Sequence, residues 1–416
     1  MRYKTITYCR ICKSKNLKLL LDMGRLASCG TFPKIKESHP PQVPLRIVIC
    51  NNCKLVQTKD NYHQNSLFRG NYGYRSGINE SMRKHLKGIV MNLTKKIKLL
   101  KGDVVLDIGS NDGTTLNYYK NKKIIRVGID PTIDKFKKYY SKDIITSSNF
   151  FSSKNYKKLK LNKKAKIITS IAMFYDLNDP NIFIQDIVKV LDKEGIWLTE
   201  QSYLPTMVKR NSFDTICHEH LEYYTLKQIN YLSKKHNMRI IDVKMNDING
   251  GSFQVTLCHK NSSLSSNNRK IFKILKQEKL KGYHRSNLVH PMKKLIVKIN
   301  KIKIKVINFL IKIKNQGKIV HGYGASTKGN TLLQYFNIST DLIAVIADRN
   351  KDKFGCCTPG SNIPIISEKE SRLLKPDYFF VLPWHFYRNF INREKKYLNR
   401  GGKFIFPLPN FKIVSK

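Results

Sequence analysis

The sequence predicts an α/β protein with a small cysteine module in front, a doubly wound Rossmann-like core, and a second Rossmann-like domain at the C-terminal end. Three observations predict it. Two Cys-x-x-Cys pairs, Cys9-Arg10-Ile11-Cys12 and Cys50-Asn51-Asn52-Cys53, stand near the start. From about Leu100 to His259, apolar runs of strand length alternate with segments of helical period. From Gly317 onward a strand again opens into a Gly-rich turn, and further strands follow.

The cysteine pairs come first. Each pair places two thiolates on one metal, and two pairs complete a tetrahedral site for structural zinc at Cys9, Cys12, Cys50 and Cys53. Four thiolates leave no open coordination position, so the metal holds the fold rather than doing chemistry. Cys29, Cys217, Cys258, Cys356 and Cys357 show no metal spacing and read as small buried hydrophobes. This module spans residues 1–70.

The core spans residues 71–260. It opens on a polar, aromatic loop, Tyr72-Gly73-Tyr74-Arg75-Ser76-Gly77-Ile78-Asn79, in which Tyr74 and Arg75 are suited to stack on a base and grip an anion. A helix through Met82, His85, Leu86 and Ile89 follows. Val104–Ile108, Ile124–Ile129, Ile167–Ile171 and Gly195–Leu198 read as buried strands. The first runs into Asp107-Ile108-Gly109-Ser110-Asn111-Asp112-Gly113, where the backbone must approach a ligand closely. Asp130 ends the second strand, placed to accept hydrogen bonds from ribose hydroxyls. The turn is neither G-x-G-x-x-G nor a P-loop, which disfavours dinucleotides and ATP and favours S-adenosylmethionine, held by Asp107, Gly109, Ser110, Asn111, Gly113 and Asp130.

The candidate catalytic cluster is Cys217-His218-Glu219-His220-Leu221-Glu222-Tyr223-Tyr224. Two His and a Glu in three positions suit proton abstraction. Two His at i, i+2 on one strand face also suit a metal, and a plain surface turn is the third reading; H-E-x-x-H is absent, so a zinc protease is not indicated. Asn178, Glu200, Trp197 and Tyr203 lie near predicted strand ends, where they would line a pocket; core packing competes for Trp197.

Residues 261–316 differ in material. A polar break, Asn261–Asn268, leads into a Lys/Ile-rich stretch that reads as a basic helical connector packed on its own protein rather than on a membrane. The last domain, residues 317–416, begins Lys318-Ile319-Val320-His321-Gly322-Tyr323-Gly324-Ala325-Ser326-Thr327-Lys328-Gly329, with strands expected at Leu342–Ala347, Tyr378–Leu382 and Lys403–Pro407. Exposed amides at Gly324–Ser326, together with Lys328, would suit a diphosphate.

Composition bounds the function. The 416 residues suffice for two or three domains, and 41% hydrophobic content supports packed cores. No apolar run approaches a membrane span, and the start lacks an apolar leader segment, so the expected compartment is the cytoplasm. The net charge of +48 invites a nucleic-acid reading. The excess is mostly Lys, spread along the chain beside abundant Ile and Asn, as A/T-rich codons would give; solvated Lys faces are the better reading, and nucleic acid is disfavoured. The charge would still attract anionic substrates such as nucleoside diphosphates.

In this order the motifs resemble the sugar C-methyltransferase family acting on nucleotide-linked deoxysugars. The resemblance covers nearly the whole chain and rests on Tyr74-Arg75-Ser76-Gly77, Asp107–Gly113, Ile171-Ala172-Met173-Phe174-Tyr175-Asp176-Leu177, Glu200-Gln201-Ser202-Tyr203, His218-Glu219-His220, Asn249-Gly250-Gly251-Ser252 and Gly322–Gly329. It implies a zinc-binding N-terminal domain, a class I methyltransferase core and a Rossmann-like C-terminal domain. It implies S-adenosylmethionine and zinc as cofactors, and a nucleoside-diphosphate 4-keto-deoxyhexose, destined for a polysaccharide or glycosylated metabolite, as substrate. By position His220 would be the base that forms an enolate, with Glu219 and His218 orienting it or contacting the sugar. Tyr74, Arg75, Glu200, Tyr203, Asn249, Tyr323, Ser326 and Lys328 would bind substrate. Some members place a Tyr before the triplet where this chain has Cys217, so Tyr223, Tyr224 or a water would hold the enolate here. An O-methyltransferase of nucleotide sugars, a nucleic-acid methyltransferase with a zinc module, and a non-catalytic nucleotide-sugar binder are the competing functions.

Overall fold

Alternating burial along the first strands builds a small sheet around the cysteine pairs. The computed structural model describes residues 3–62, 67, 74–285 and 289–416; Tyr72 and Gly73 of the aromatic loop lie outside them. The N-terminal strands are β1 (Tyr3–Thr5), β2 (Leu17–Leu26), β3 (Val43–Cys50), β4 (Val56–Thr58) and β5 (Asp60–Tyr62). The core adds β6 (Val104–Ile108), β7 (Ile125–Ile129), β8 (Ile144–Ser147), β9 (Ala165–Ile171), β10 (Leu191–Ser202), β11 (Glu222–Tyr223), β12 (Met238–Asn246) and β13 (Ser252–His259).

Seven of these form one sheet in the order β12-β13-β10-β9-β6-β7-β8. Strands β6 to β10 are mutually parallel, and β13 runs antiparallel to both β10 and β12. This is the class I methyltransferase arrangement. β6 is buried at all five positions because helices cover both faces of a parallel sheet, which is why it reads as an unbroken apolar run. Strand order reverses between β6 and β9, and the crevice beyond their carboxyl ends is where such sheets take ligands. β10 is longer than Gly195–Leu198 because antiparallel pairing with β13 carries it to Ser202.

β11 leaves this domain. It pairs with β4, Glu222 opposite Gln57 and Tyr223 opposite Val56, so the N-terminal sheet runs β11-β4-β3-β2. The His-Glu-His segment is therefore strung between the two domains.

The connector forms helices Asn268–Leu280 and Met292–Asn315. The second buries Met292, Leu295, Ile299, Ile302, Val306, Leu310 and Ile313, spaced three or four apart, in a core shared with the N-terminal sheet and the C-terminal domain. Each contributes about 2 kcal/mol of burial before ordering costs, which fixes the helix as a strut. No described helix is long and apolar enough to cross a membrane.

The C-terminal strands are β14 (Val320–Tyr323), β15 (Ile346–Asp348), β16 (Ile365–Ser367), β17 (Tyr378–Val381), β18 (Lys403–Phe406) and β19 (Lys412–Val414), ordered β16-β15-β14-β17-β18-β19. All are parallel except β19, so the domain is Rossmann-like. The strand expected from Leu342 begins only at Ile346: Leu342 and Ile343 amides bond back to Ser339 in a turn, and Ile343 fills the core from a loop.

Candidate functional site

Two knuckles of the same build hold the metal centre. Each second cysteine is followed by a lysine in the left-handed region, Lys13 at φ 61° and Lys54 at φ 66°, whose amide donates to the carbonyl of the first cysteine, 3.0 Å to Cys9 and 2.9 Å to Cys50. The four sulfurs lie within 4.8 Å of one another, with Cys9–Cys53 and Cys12–Cys50 at 3.5 Å and no disulfide among them. A tetrahedral zinc–thiolate site requires edges of about 3.8 Å, so the donors fit zinc and leave no position for substrate. Arg10, inside the first knuckle, donates to Thr58 O at 2.7 Å and Gln57 Oε1 at 3.1 Å on β4, and faces Glu222 on β11 at 3.5 Å. The metal module thereby braces the strand that leaves the His-Glu-His segment.

The crevice at the switch point is lined by Asp107, Gly109, Ser110, Asn111 and Asp130 from the first Gly-rich turn and its neighbour. Gly109 has φ +71°, and a Cβ there would meet Met173 at 3.0 Å, so only glycine keeps the turn this close to the opposite wall. Asp130 accepts Asn111 N at 2.9 Å on Oδ2 and Thr132 N and Oγ1 on Oδ1. A carboxylate offers about four acceptor sites, so Oδ2 keeps capacity for a ligand hydroxyl. Burial pushes Asp130 upward and Asp107 up to about 7. Asn111 accepts Ser76 N at 2.9 Å and donates to Tyr74 O at 3.2 Å, and Asp112 accepts Gly77 N at 2.9 Å. These bonds sew the aromatic loop onto the turn and put Tyr74 in the cleft wall.

The same cleft is lined by Cys217, Glu219 and His220. His220 donates Nδ1–H to Thr215 O at 2.7 Å; a carbonyl only accepts, so the proton sits on Nδ1 and the lone pair on Nε2. Burial, then the charge of Lys328, pulls its pKa down to about 3, so the ring is neutral. Tyr175 packs against its ring in a T-shaped contact, centroids 4.2 Å apart. Glu219 accepts Gly30 N at 2.7 Å, which brings the Cys29-Gly30 turn of the N-terminal domain to the cleft, and burial raises its pKa.

Family models match the chain in sequence along its length: a zinc binding domain over residues 9–68, a methyltransferase domain over 78–243, and a C-methyltransferase C-terminal domain over 247–409. Taken together, the three matches make the chain similar along its length to C-methyltransferases. C-methyltransferase NovU of Streptomyces niveus is 26% identical to it over 99% of this chain and 98% of its own length. Among solved structures, the plantazolicin methyltransferase BpumL with bound SAH matches 42% of this chain and 82% of its own at 12% identity and TM-score 0.34. The Synechocystis PCC 6803 magnesium protoporphyrin IX methyltransferase with bound SAM matches 42% and 79% at 10% identity and TM-score 0.32. The protein is a SAM-dependent methyltransferase with a zinc-binding module.

In this methyltransferase several expected site residues lie elsewhere. His218 turns from the cleft: its Nε2 sits 3.3 Å from the Val43 and Pro44 carbonyls and its ring edge packs on Tyr62, and burial lowers its pKa to about 4. Gly113 shapes the turn without lining it, because at φ +73° a Cβ would strike the Tyr140 ring at 2.7 Å. Arg75 stacks over Tyr139 at 4.1 Å and faces Asp112. Glu200 is a buried hub for His85, Asn246 and Gln254. Tyr203 donates to Glu278 at 2.7 Å in the connector. Tyr323 sits in the C-terminal core and donates to Glu394. Ser326 caps the helix Thr327–Phe336, accepting Gly329 N at 3.0 Å. Trp197 is core, donating to Ser170, and Asn178 bonds Asn61 beside a neighbouring cavity. Tyr223 and Tyr224 are buried outside the cleft, Tyr224 stacked on Phe174. Asn249 and Lys328 do line the cleft.

The amides expected to be exposed at Gly324–Ser326 are taken: Gly324 N by Ala347 O, Ala325 N by Asp348 Oδ2 at 2.6 Å, Ser326 N by Gly324 O. Sequence reasoning missed Thr215, the partner of His220, since a lone Thr in a 3-10 turn carries no motif. It also missed Cys29-Gly30, which enters from a distant domain. Tyr175 stood inside a quoted motif without a role.

Proposed function

We propose that this methyltransferase methylates the ring carbon beside the keto group of a nucleoside-diphosphate 4-keto-deoxyhexose, with His220 as the base. The observation that carries the reading is the Nδ1–H bond from His220 to the Thr215 carbonyl, which leaves Nε2 as an acceptor on a cleft that also holds the first Gly-rich turn. A proton on carbon next to a carbonyl needs a positioned base. The C–H bond breaks, its proton goes to Nε2, its electron pair forms the C=C bond, and the carbonyl pair moves to oxygen. S-adenosylmethionine, when bound by Asp107, Gly109, Ser110, Asn111 and Asp130, supplies the electrophilic methyl for that carbon. Glu219 orients the wall beside the base, and Tyr74 and Asn249 face the sugar. The net charge of +48 favours a diphosphate-bearing substrate. The relative's name, a C-methyltransferase, supports carbon over oxygen as acceptor.

The test incubates the protein with SAM and a panel of dTDP- and GDP-4-keto-hexoses in deuterated water, with products read by mass and NMR. Methyl on a ring carbon, with deuterium exchange there that His220→Ala abolishes, is the expected result. Methyl on oxygen, or labelling of RNA with no sugar turned over, would sink the proposal.

A further inference from the structure

We propose that Lys328 supplies the positively charged N–H that holds the enolate oxygen when His220 takes the ring proton, rather than anchoring the diphosphate. This rests on the C-methylation reading above. An imidazole as weakly basic as His220 takes a carbon-bound proton only if the enolate formed with it is stabilised; Tyr74 and Tyr175 bring neutral hydroxyls to the cleft lining, and Lys328 brings a cation. Tyr223 and Tyr224 lie outside the cleft lining. Cys217 lines it, but burial pushes its thiol pKa well up, leaving a neutral, weak donor.

Lys328 stands on the first turn of the helix Thr327–Phe336 and reaches out of the C-terminal domain into the cleft. Its ammonium donates to Asn249 O at 2.6 Å and Thr215 Oγ1 at 3.2 Å. An ammonium has three N–H groups, so one remains for a ligand among the described residues. Thr215 is the hinge of the arrangement. Its carbonyl fixes His220 and its hydroxyl fixes Lys328, so base and cation are referenced to one residue. The titratable groups that feel Lys328 are Asp214, Cys217, His220 and His385. Asp214 is held by Trp384 Nε1 at 2.8 Å and opposes the desolvation that lowers the lysine's pKa. A cation fixed in a partly buried cleft acts more strongly than in water on charge that develops during reaction. No electrons are gained or lost: the proton moves from carbon to Nε2, the carbonyl pair moves to oxygen, and the ammonium keeps its proton while donating.

The experiment measures deuterium uptake at the ring carbon of dTDP-4-keto-6-deoxyglucose in deuterated water, with S-adenosylhomocysteine in place of SAM. Lys328→Met is expected to slow saturated exchange by roughly 10²–10³-fold, to leave the sugar nucleotide's KM within about threefold, and to raise the pH at which His220 protonates. Lys328→Ala is expected to recover at least about tenfold with added ethylammonium; recovery inside one folded protein excludes a merely structural loss. A KM raised about tenfold or more with saturated exchange unchanged would return Lys328 to the diphosphate and overturn the proposal. Absence of amine rescue would also overturn it. No exchange by the unaltered protein on any keto-sugar would instead remove the C-methylation reading, and this proposal with it.

Discussion

The two Gly-rich turns share one local grammar and serve different ends. In each, a buried strand opens into a turn whose backbone amide is clasped by the acid that ends the next strand: Asn111 N to Asp130 at 2.9 Å, Ala325 N to Asp348 at 2.6 Å. The first turn lines the cleft from Asp107 to Asn111. The second gives the cleft only Thr327 and Lys328, since its own amides, its serine and its tyrosine are consumed within the domain. Asp348 illustrates the difference: Asn350 N takes its other oxygen at 2.7 Å, and Lys353 covers the neighbouring Ala325 carbonyl at 2.6 Å. A Rossmann-like turn is thus a binding site only where its polar groups are left over after folding.

The largest expected effect tests what lies between the turns. His220→Ala should lower kcat by about 10²–10⁴-fold and leave S-adenosylhomocysteine affinity, measured by calorimetry, unchanged. Equal loss of both would mean that the histidine shapes the first turn instead. The free protein's pH profile sharpens this. With a pKa of about 3, His220 stays an acceptor through neutral pH, so the acid limb of kcat/KM should lie well below the 6.5 of an ordinary histidine. A limb at 6.5 would show that the base is another group.

Next in size is the metal module. Cys50→Ser should release zinc and destabilise the protein by several kcal/mol, because the knuckle is closed by its metal. Since Arg10 braces β4 and β11, activity should fall with metal content. Unchanged metal stoichiometry and melting would refute the site.

The first turn carries the cost of a desolvated acid. The pKa of Asp107 is raised from 3.8 to about 7 by burial, so the folded state holds a proton the unfolded chain has already lost. Between those pH values stability falls as pH rises. Asp107→Asn should therefore raise the melting temperature by a few degrees at pH 8, with little gain at pH 4, while weakening SAM binding. A stabilisation equal at both pH values would remove the desolvation argument.

How much of this was legible in the sequence follows from the range of each interaction. Val104–Ile108, its turn and Asp130 were readable because strand, turn and acid are local or separated by one helix. The cysteine pairs were readable because metal geometry constrains spacing. His218 read like His220, but the segment bends so that these residues two apart face different domains. Glu200 and Tyr203 sit at the expected strand end, yet their partners, His85 and Glu278, arrive from helices 115 and 75 residues away. Thr215 and Cys29-Gly30 carry no pattern because their roles exist only after the domains meet.

The smallest effect separates the turns most directly. Asn111 and Ser326 are each turn residues whose side chains bond local backbone, so their deletions look alike on paper. Ser326→Ala removes a helix cap and should cost about 1 kcal/mol of stability. Its Oγ is spent on Gly329 N and does not line the cleft, so the affinities for S-adenosylhomocysteine and sugar nucleotide should stay as they were. Asn111→Ala removes the bonds that hold Tyr74 and Ser76 against the cofactor turn, worth about 1–2 kcal/mol, and should weaken S-adenosylhomocysteine by roughly tenfold. Paired titrations and melts of the two variants read both quantities. If Ser326→Ala also weakened the sugar nucleotide, the second turn would be a phosphate site after all, and the division of labour between the domains would fail.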